Sequence, residues 1–180
     1  VRAGKRVIFI DRTRTRLVQC LMNANEDPDN HDTDDLTRLH IDIGGAVDED
    51  EGGFVELAYQ RRPDPRLYGV RDDGQLAIML FGPREGVYGW HRYLGAETIG
   101  GAGRFKSVCV VPGKPEDRVH VIVERVINGE TRMYHERFAL QKFSRAADAW
   151  RLQCALYSDG APATSFSGLD HLEGETVAVW

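Results

Sequence analysis

The sequence predicts an all-β fold made of β-propeller-like repeated antiparallel blades. Three observations predict it. Short runs rich in Val, Ile, Phe and Tyr recur along the chain, separated by turn residues. Asp73-Gly74 and Asn128-Gly129 are the residue pairs that tight hairpins favour. Pro63-Asp64-Pro65-Arg66-Leu67-Tyr68-Gly69-Val70 is echoed 52 residues later by Pro115-Glu116-Asp117-Arg118-Val119-His120-Val121-Ile122. Repeats of about 40 to 50 residues with about four strands each read as propeller blades. One small sheet leaves both faces to be covered, and similar sheets cover one another by stacking. A β-sandwich or a barrel with accidental similarity is the alternative.

The elements follow in order. Arg6–Ile10 and Leu17–Leu21 read as a hairpin around the polar turn Asp11 to Thr15. Thr33 to Ile41 is the one segment with a helical look: Thr33 suits a cap, Asp34 and Asp35 suit a helix N-terminus, and Gly44-Gly45 suits its end. It belongs to an acidic loop and short helix insertion over 26–53. The second group has strands at Phe54–Tyr59, Arg66–Arg71, Gln75–Phe81 and Val87–Tyr93, with Asp73-Gly74 as a two-residue hairpin turn. The third has strands at Phe105–Val111, Arg118–Arg125 and Thr131–Phe138. This makes about two complete blades and a partial one, in a single all-β domain over 1–180 or a fragment of a larger one. The chain opens at Val1 and stops in the alternating run Glu175 to Trp180, which reads as an internal piece of a longer polypeptide.

Composition narrows the function classes. A length of 180 residues with 42% hydrophobic and 28% charged residues can bury a core without disulfides or metal. A net charge of -5 excludes a generally basic nucleic-acid binder. No run of 18 apolar residues is present to cross a membrane as a helix. Cys20, Cys109 and Cys154 are far apart, without a CxxC pair, and read as reduced core thiols.

Several segments carry a resemblance. Ala58-Tyr59-Gln60, Leu67 to Leu76, Val87-Tyr88-Gly89-Trp90-His91-Arg92, Ser107 to Gly113, Val123 to Thr131 and Gly168 to Gly174 resemble a family of bacteriophage and prophage virion proteins. These are described as tail or head-to-tail structural (stabilisation) proteins. Asp35 to His40 resembles a short helical motif of the same family. The resemblance implies a structural, non-catalytic component of a phage virion, made in the bacterial host cytoplasm. Its partners would be other virion tail or connector proteins and further copies of itself. It brings no cofactor, no membrane partner and no specific nucleic acid, only the non-specific passage of DNA. Glu26 to Asp35 and Ala139 to Trp150 depart from the pattern.

The candidate interaction residues are Arg12, Arg14 and Arg16, the acidic run Asp48, Glu49, Asp50 and Glu51, and Trp90. The arginines alternate, so a strand would set them on one face and a turn would splay them into solvent. They suit carboxylates of a neighbouring subunit better than phosphate. The acidic run suits a solvated loop or a surface that repels passing DNA. The spacing fails the EF-hand pattern, because position six from Asn30 is Asp35 and position twelve is Ile41. The six histidines form no HxH or HExxH. Trp90 lies among Tyr59, Tyr68, Tyr88 and Tyr93, which reads as core between blades. A sugar-stacking platform is the alternative, and it would make the chain a host-surface carbohydrate-binding or glycan-degrading domain of a phage tail. Glu56, Asp72, Asp73, Glu124 and Glu136 are the carboxylates an enzyme reading would use. A third reading is an unrelated bacterial propeller scaffold.

Overall fold

The computed structural model describes residues 1–21, 32–45, 52–95, 97–98, 101–141, 160–161, 163–167, 169, 172–174 and 176. Among these the architecture is all-β, built from consecutive antiparallel meanders. The first sheet runs in the order β1 (Arg2–Ala3), β2 (Arg6–Ile10), β3 (Leu17–Leu21) and β4 (Asp32–Asp35). The second is β5 (Phe54–Gln60), β6 (Arg66–Arg71), β7 (Leu76–Gly82) and β8 (Val87–Tyr93). A two-residue pair, β9 (Glu97–Thr98) with β10 (Gly101–Ala102), leads into the third sheet. That sheet is β11 (Arg104–Val111), β12 (Arg118–Ile127) and β13 (Glu130–Arg137). The echoed segments Arg66–Val70 and Arg118–Ile122 lie in β6 and β12, the second strands of successive sheets.

Sequence dictates which faces are buried. In β12 the pattern RVHVIVERVI alternates strictly, burying Val119, Val121, Val123, Arg125 and Ile127 and leaving the other face half-covered. The two central strands of the middle sheet are covered on both faces, so Leu67-Tyr68-Gly69-Val70 and Leu76-Ala77-Ile78-Met79 are buried without interruption. One core layer joins sheets one and two: Ile8, Leu17 and Leu36 meet Phe54, Leu67, Met79 and Phe81. The other joins sheets two and three: Tyr68, Val70 and Ile78 meet Phe105, Val108, Val121 and Val123. Each such large side chain contributes about 1.5–3 kcal/mol by leaving water.

Two local expectations are corrected. No helix forms over 33–41. Asp32–Asp35 instead pairs with β3 in the register Val18↔Asp35 to Leu21↔Asp32. Asp35 Oδ1 then accepts from both the Thr37 amide (2.8 Å) and the Thr37 hydroxyl (2.7 Å), which turns the chain. Leu36 is buried while Leu39 and Ile41 are 89% and 80% exposed, so a helical apolar stripe would have had nothing to pack against. The helical geometry in this stretch is a 3-10 turn at Ile41–Ile43. The Asp73-Gly74 hairpin is also not a two-residue turn. Arg71 N donates to Gln75 O and Gly74 N to Arg71 O, each 3.0 Å, enclosing the three residues Asp72–Gly74 with Gly74 at φ 86. The Asn128-Gly129 hairpin does have two residues, both at positive φ, between Ile127 and Glu130.

Candidate functional site

Among the described residues, polar side chains bridge the joints between sheets, and the two joints share one kind of backbone bond. At the first, Phe54 N at the start of β5 donates to Arg14 O in the β2–β3 turn (2.7 Å). At the second, Phe105 N near the start of β11 donates to Gly74 O in the β6–β7 turn (2.8 Å). Both first strands carry a bulge directly afterwards, between Phe54 and Glu56 and between Phe105 and Ser107. Arg14 and Gly74 are both left-handed, at φ 64 and φ 86. In both joints, then, the hairpin of one sheet offers a carbonyl to the first strand of the next.

Charged groups reinforce the first joint. Arg14 Nε donates to Phe54 O (3.1 Å) and Arg14 Nη2 reaches Asp72 (2.8 Å). Asp72 Oδ1 accepts from the amides of Gly52 (2.6 Å) and Gly53 (2.8 Å). Burial raises the Asp72 carboxyl, but these two amides and the Arg14 charge outweigh it and hold the group below its ordinary value. Arg71, 5% exposed, donates to Ile43 O (2.6 Å) and Asp42 O (3.0 Å) and pairs with Asp73 (2.6 Å).

At the second joint Asp117, 7% exposed, accepts from the amides of Arg61 and Arg62, each at 3.0 Å, and from Gly113 at 3.4 Å. Burial again raises the carboxyl, and the Arg62, Arg61 and Gly113 amides with the Arg62 charge bring it below its ordinary value. Gln60 links this site to the core. Its Nε2 donates to Asp117 O (3.2 Å), and its Oε1 accepts from the Tyr68 hydroxyl (2.7 Å). Burial pushes the Tyr68 phenol up.

The sequence-derived candidates separate. Arg12, Arg14 and Arg16 lie in the β2–β3 turn and are splayed, not aligned on a strand. Arg14 is spent on the joint, Arg16 lies 3.9 Å from Asp35, and Arg12 is exposed. Trp90, on β8, donates its indole N–H to Leu36 O (2.9 Å) and packs at 6.2 Å from Phe54, so it ties sheet two to sheet one. Asp48, Glu49, Asp50 and Glu51 lie outside the described residues, as does Cys154. Cys109 is exposed and Cys20 half-buried, so neither is a core thiol: their side chains fall on the outer faces of the end sheets.

Four of the five carboxylates of the enzyme reading are paired with cations: Asp72 with Arg14, Asp73 with Arg71, Glu124 with Lys106 (3.2 Å) and Glu136 with Arg125 (2.8 Å). The fifth, Glu56, accepts from Val108 N across the second joint (3.0 Å). An open depression beside the first joint is lined by Asp11, Asp34, Asp35 and Asp42 and by Arg16, Arg38, Arg71 and Arg92. The signs interleave, with Arg92 3.8 Å from Asp42. Such a surface complements another mixed-charge protein surface better than a polyanion. Asp117 and Gln60 were not singled out by sequence reasoning; the position of Asp117 inside the echoed Pro-Glu-Asp-Arg segment was the available signal. No protein-family model matches the chain, and no curated protein matches it.

Proposed function

We propose that this chain is a structural, non-catalytic part of a phage virion tail or head-to-tail assembly. On this reading it is a propeller-like run of blades acting through protein–protein contacts. The observation that carries the structural part is the repeated joint, in which Phe54 N meets Arg14 O and Phe105 N meets Gly74 O. Sheets linked by the same bond and by continuous apolar layers form a stiff body, which suits a part that transmits load and offers surfaces. The first sheet leaves Val7 and Phe9 37% and 43% exposed on its outer face, apolar area of the kind that other subunits cover. The virion assignment rests on the sequence resemblance. The glycan-binding alternative would have to use the Trp90 ring face, since its indole N–H donates to Leu36 O.

Immunogold labelling of purified particles with an antibody against this chain tests the reading. Label confined to the tail or connector is the expected result, and Phe9→Glu should lower the yield of intact particles. Absence of the chain from purified particles, or glycan binding that disappears in Trp90→Ala, would overturn it.

A further inference from the structure

The outer face of the third sheet carries two imidazoles that the joints do not use. His120 lies on β12 and His135 on β13; His135 pairs with Ile122, so the two histidines are diagonal neighbours on one face. His120 Nδ1 and His135 Nε2 are 2.9 Å apart, with ring centroids at 5.0 Å and ring planes 20° apart. His135 is exposed and His120 half-buried, so solvent reaches the pair.

We propose that His120 and His135 form a chelating site for a divalent late-transition metal, Cu2+ above Ni2+, with water completing the coordination. Imidazole suits these ions, and Cu2+ leads the affinity order. The spacing selects among geometries. With metal–nitrogen bonds of about 2.0–2.1 Å, nitrogens 2.9 Å apart subtend an angle of about 90° at a shared ion. That is the cis angle of a tetragonal Cu2+ or Ni2+ site, whereas tetrahedral zinc needs a separation of about 3.4 Å. Rotation about the broad terminal torsion of each ring turns both lone pairs onto the ion. The backbone need not move, because β12 and β13 are paired without a break from His120↔Arg137 to Ile127↔Glu130. The ring that donates in the metal-free pair carries its proton on its other nitrogen in the complex, so two neutral rings keep their proton count. Cys109 pairs with His120 across β11, yet no three ligating side chains converge among the described residues, which leaves the site two-coordinate from the protein. Arg137, the cross-strand partner of His120, opposes a bound cation.

The test is calorimetric titration of the full chain with Ni2+, which does not oxidise its thiols, alongside Cu2+ electron paramagnetic resonance. One site with coupling to two imidazole nitrogens is expected. The second imidazole binds intramolecularly, so His120→Asn and His135→Asn should each weaken binding by about tenfold or more. His91→Asn should leave it unchanged and Arg137→Gln should strengthen it. Circular dichroism establishes that each variant is folded, and the rise in Tm that the metal gives the parent chain should vanish in both histidine variants. Full-strength binding in either His120→Asn or His135→Asn, or no site in the parent chain, would overturn the proposal.

Discussion

Replacing Asp117 with Ala isolates the worth of the second joint. The carboxylate is 7% exposed and takes two backbone amides at 3.0 Å and a third at 3.4 Å. Alanine removes the acceptor that the half-buried Arg61 and Arg62 amides share. Hydrogen bonds to a charged acceptor contribute about 1.5–3 kcal/mol each, the long third bond adds little, and solvent at the half-buried amides trims the upper end, so the loss is about 3–5 kcal/mol. For a domain of this size that lowers Tm by about 6–20 °C. Asp117→Asn keeps one acceptor oxygen without the charge and should lose less, about 1–2 kcal/mol. The pH dependence has a definite sign. The folded carboxyl lies below its ordinary value of 3.8, so its contribution is complete above pH 3.8 and is lost as pH falls through the folded value. Urea unfolding followed by circular dichroism, repeated from pH 7 to pH 2.5, measures both effects. The parent chain should lose part of its stability in the acid limb, and Asp117→Asn should lack that part. A cost below about 1 kcal/mol for Asp117→Ala would refute this reasoning, because the loss of two hydrogen bonds to a charged acceptor alone exceeds it.

Arg71→Ala should destabilise by about 2–4 kcal/mol, because it strips the half-buried Asp73 of its cation and leaves the Ile43 carbonyl without its Arg71 donor; chemical denaturation reads this directly. Gly44→Ala should be among the least tolerated changes in the chain. Its Cβ would sit 1.7 Å from Thr15 O, a backbone atom held in the β2–β3 turn, so expression and thermal unfolding should both show the first joint disrupted.

Much of the strand pattern was legible from one dimension. The runs around Arg6–Ile10, Leu17–Leu21, Phe54–Gln60 and Arg118–Ile127 announce themselves by β-branched residues and bounding turns, and the echo of Arg66–Val70 in Arg118–Ile122 places equivalent strands in successive sheets. The helix over 33–41 failed because its capping signals are local, while β3 had an open edge that only the folded sheet reveals. Trp90 was readable as packing, but its partner Leu36 is 54 residues away, beyond any local pattern. The three arginines illustrate the same limit. Sequence marks Arg12, Arg14 and Arg16 as equals, and only Arg14 lies within reach of Phe54 and Asp72.

By itself, then, the sequence determined most of the long strands, the Asn128-Gly129 hairpin and the alternation that buries Val119, Val121 and Val123, because these depend on neighbours a few residues apart. Tertiary structure alone decided which sheet meets which, that Asp72 and Asp117 are joint residues, and that His120 and His135 share a face. Those outcomes depend on atoms brought together from distant positions, and burial and charge act there through distance in space.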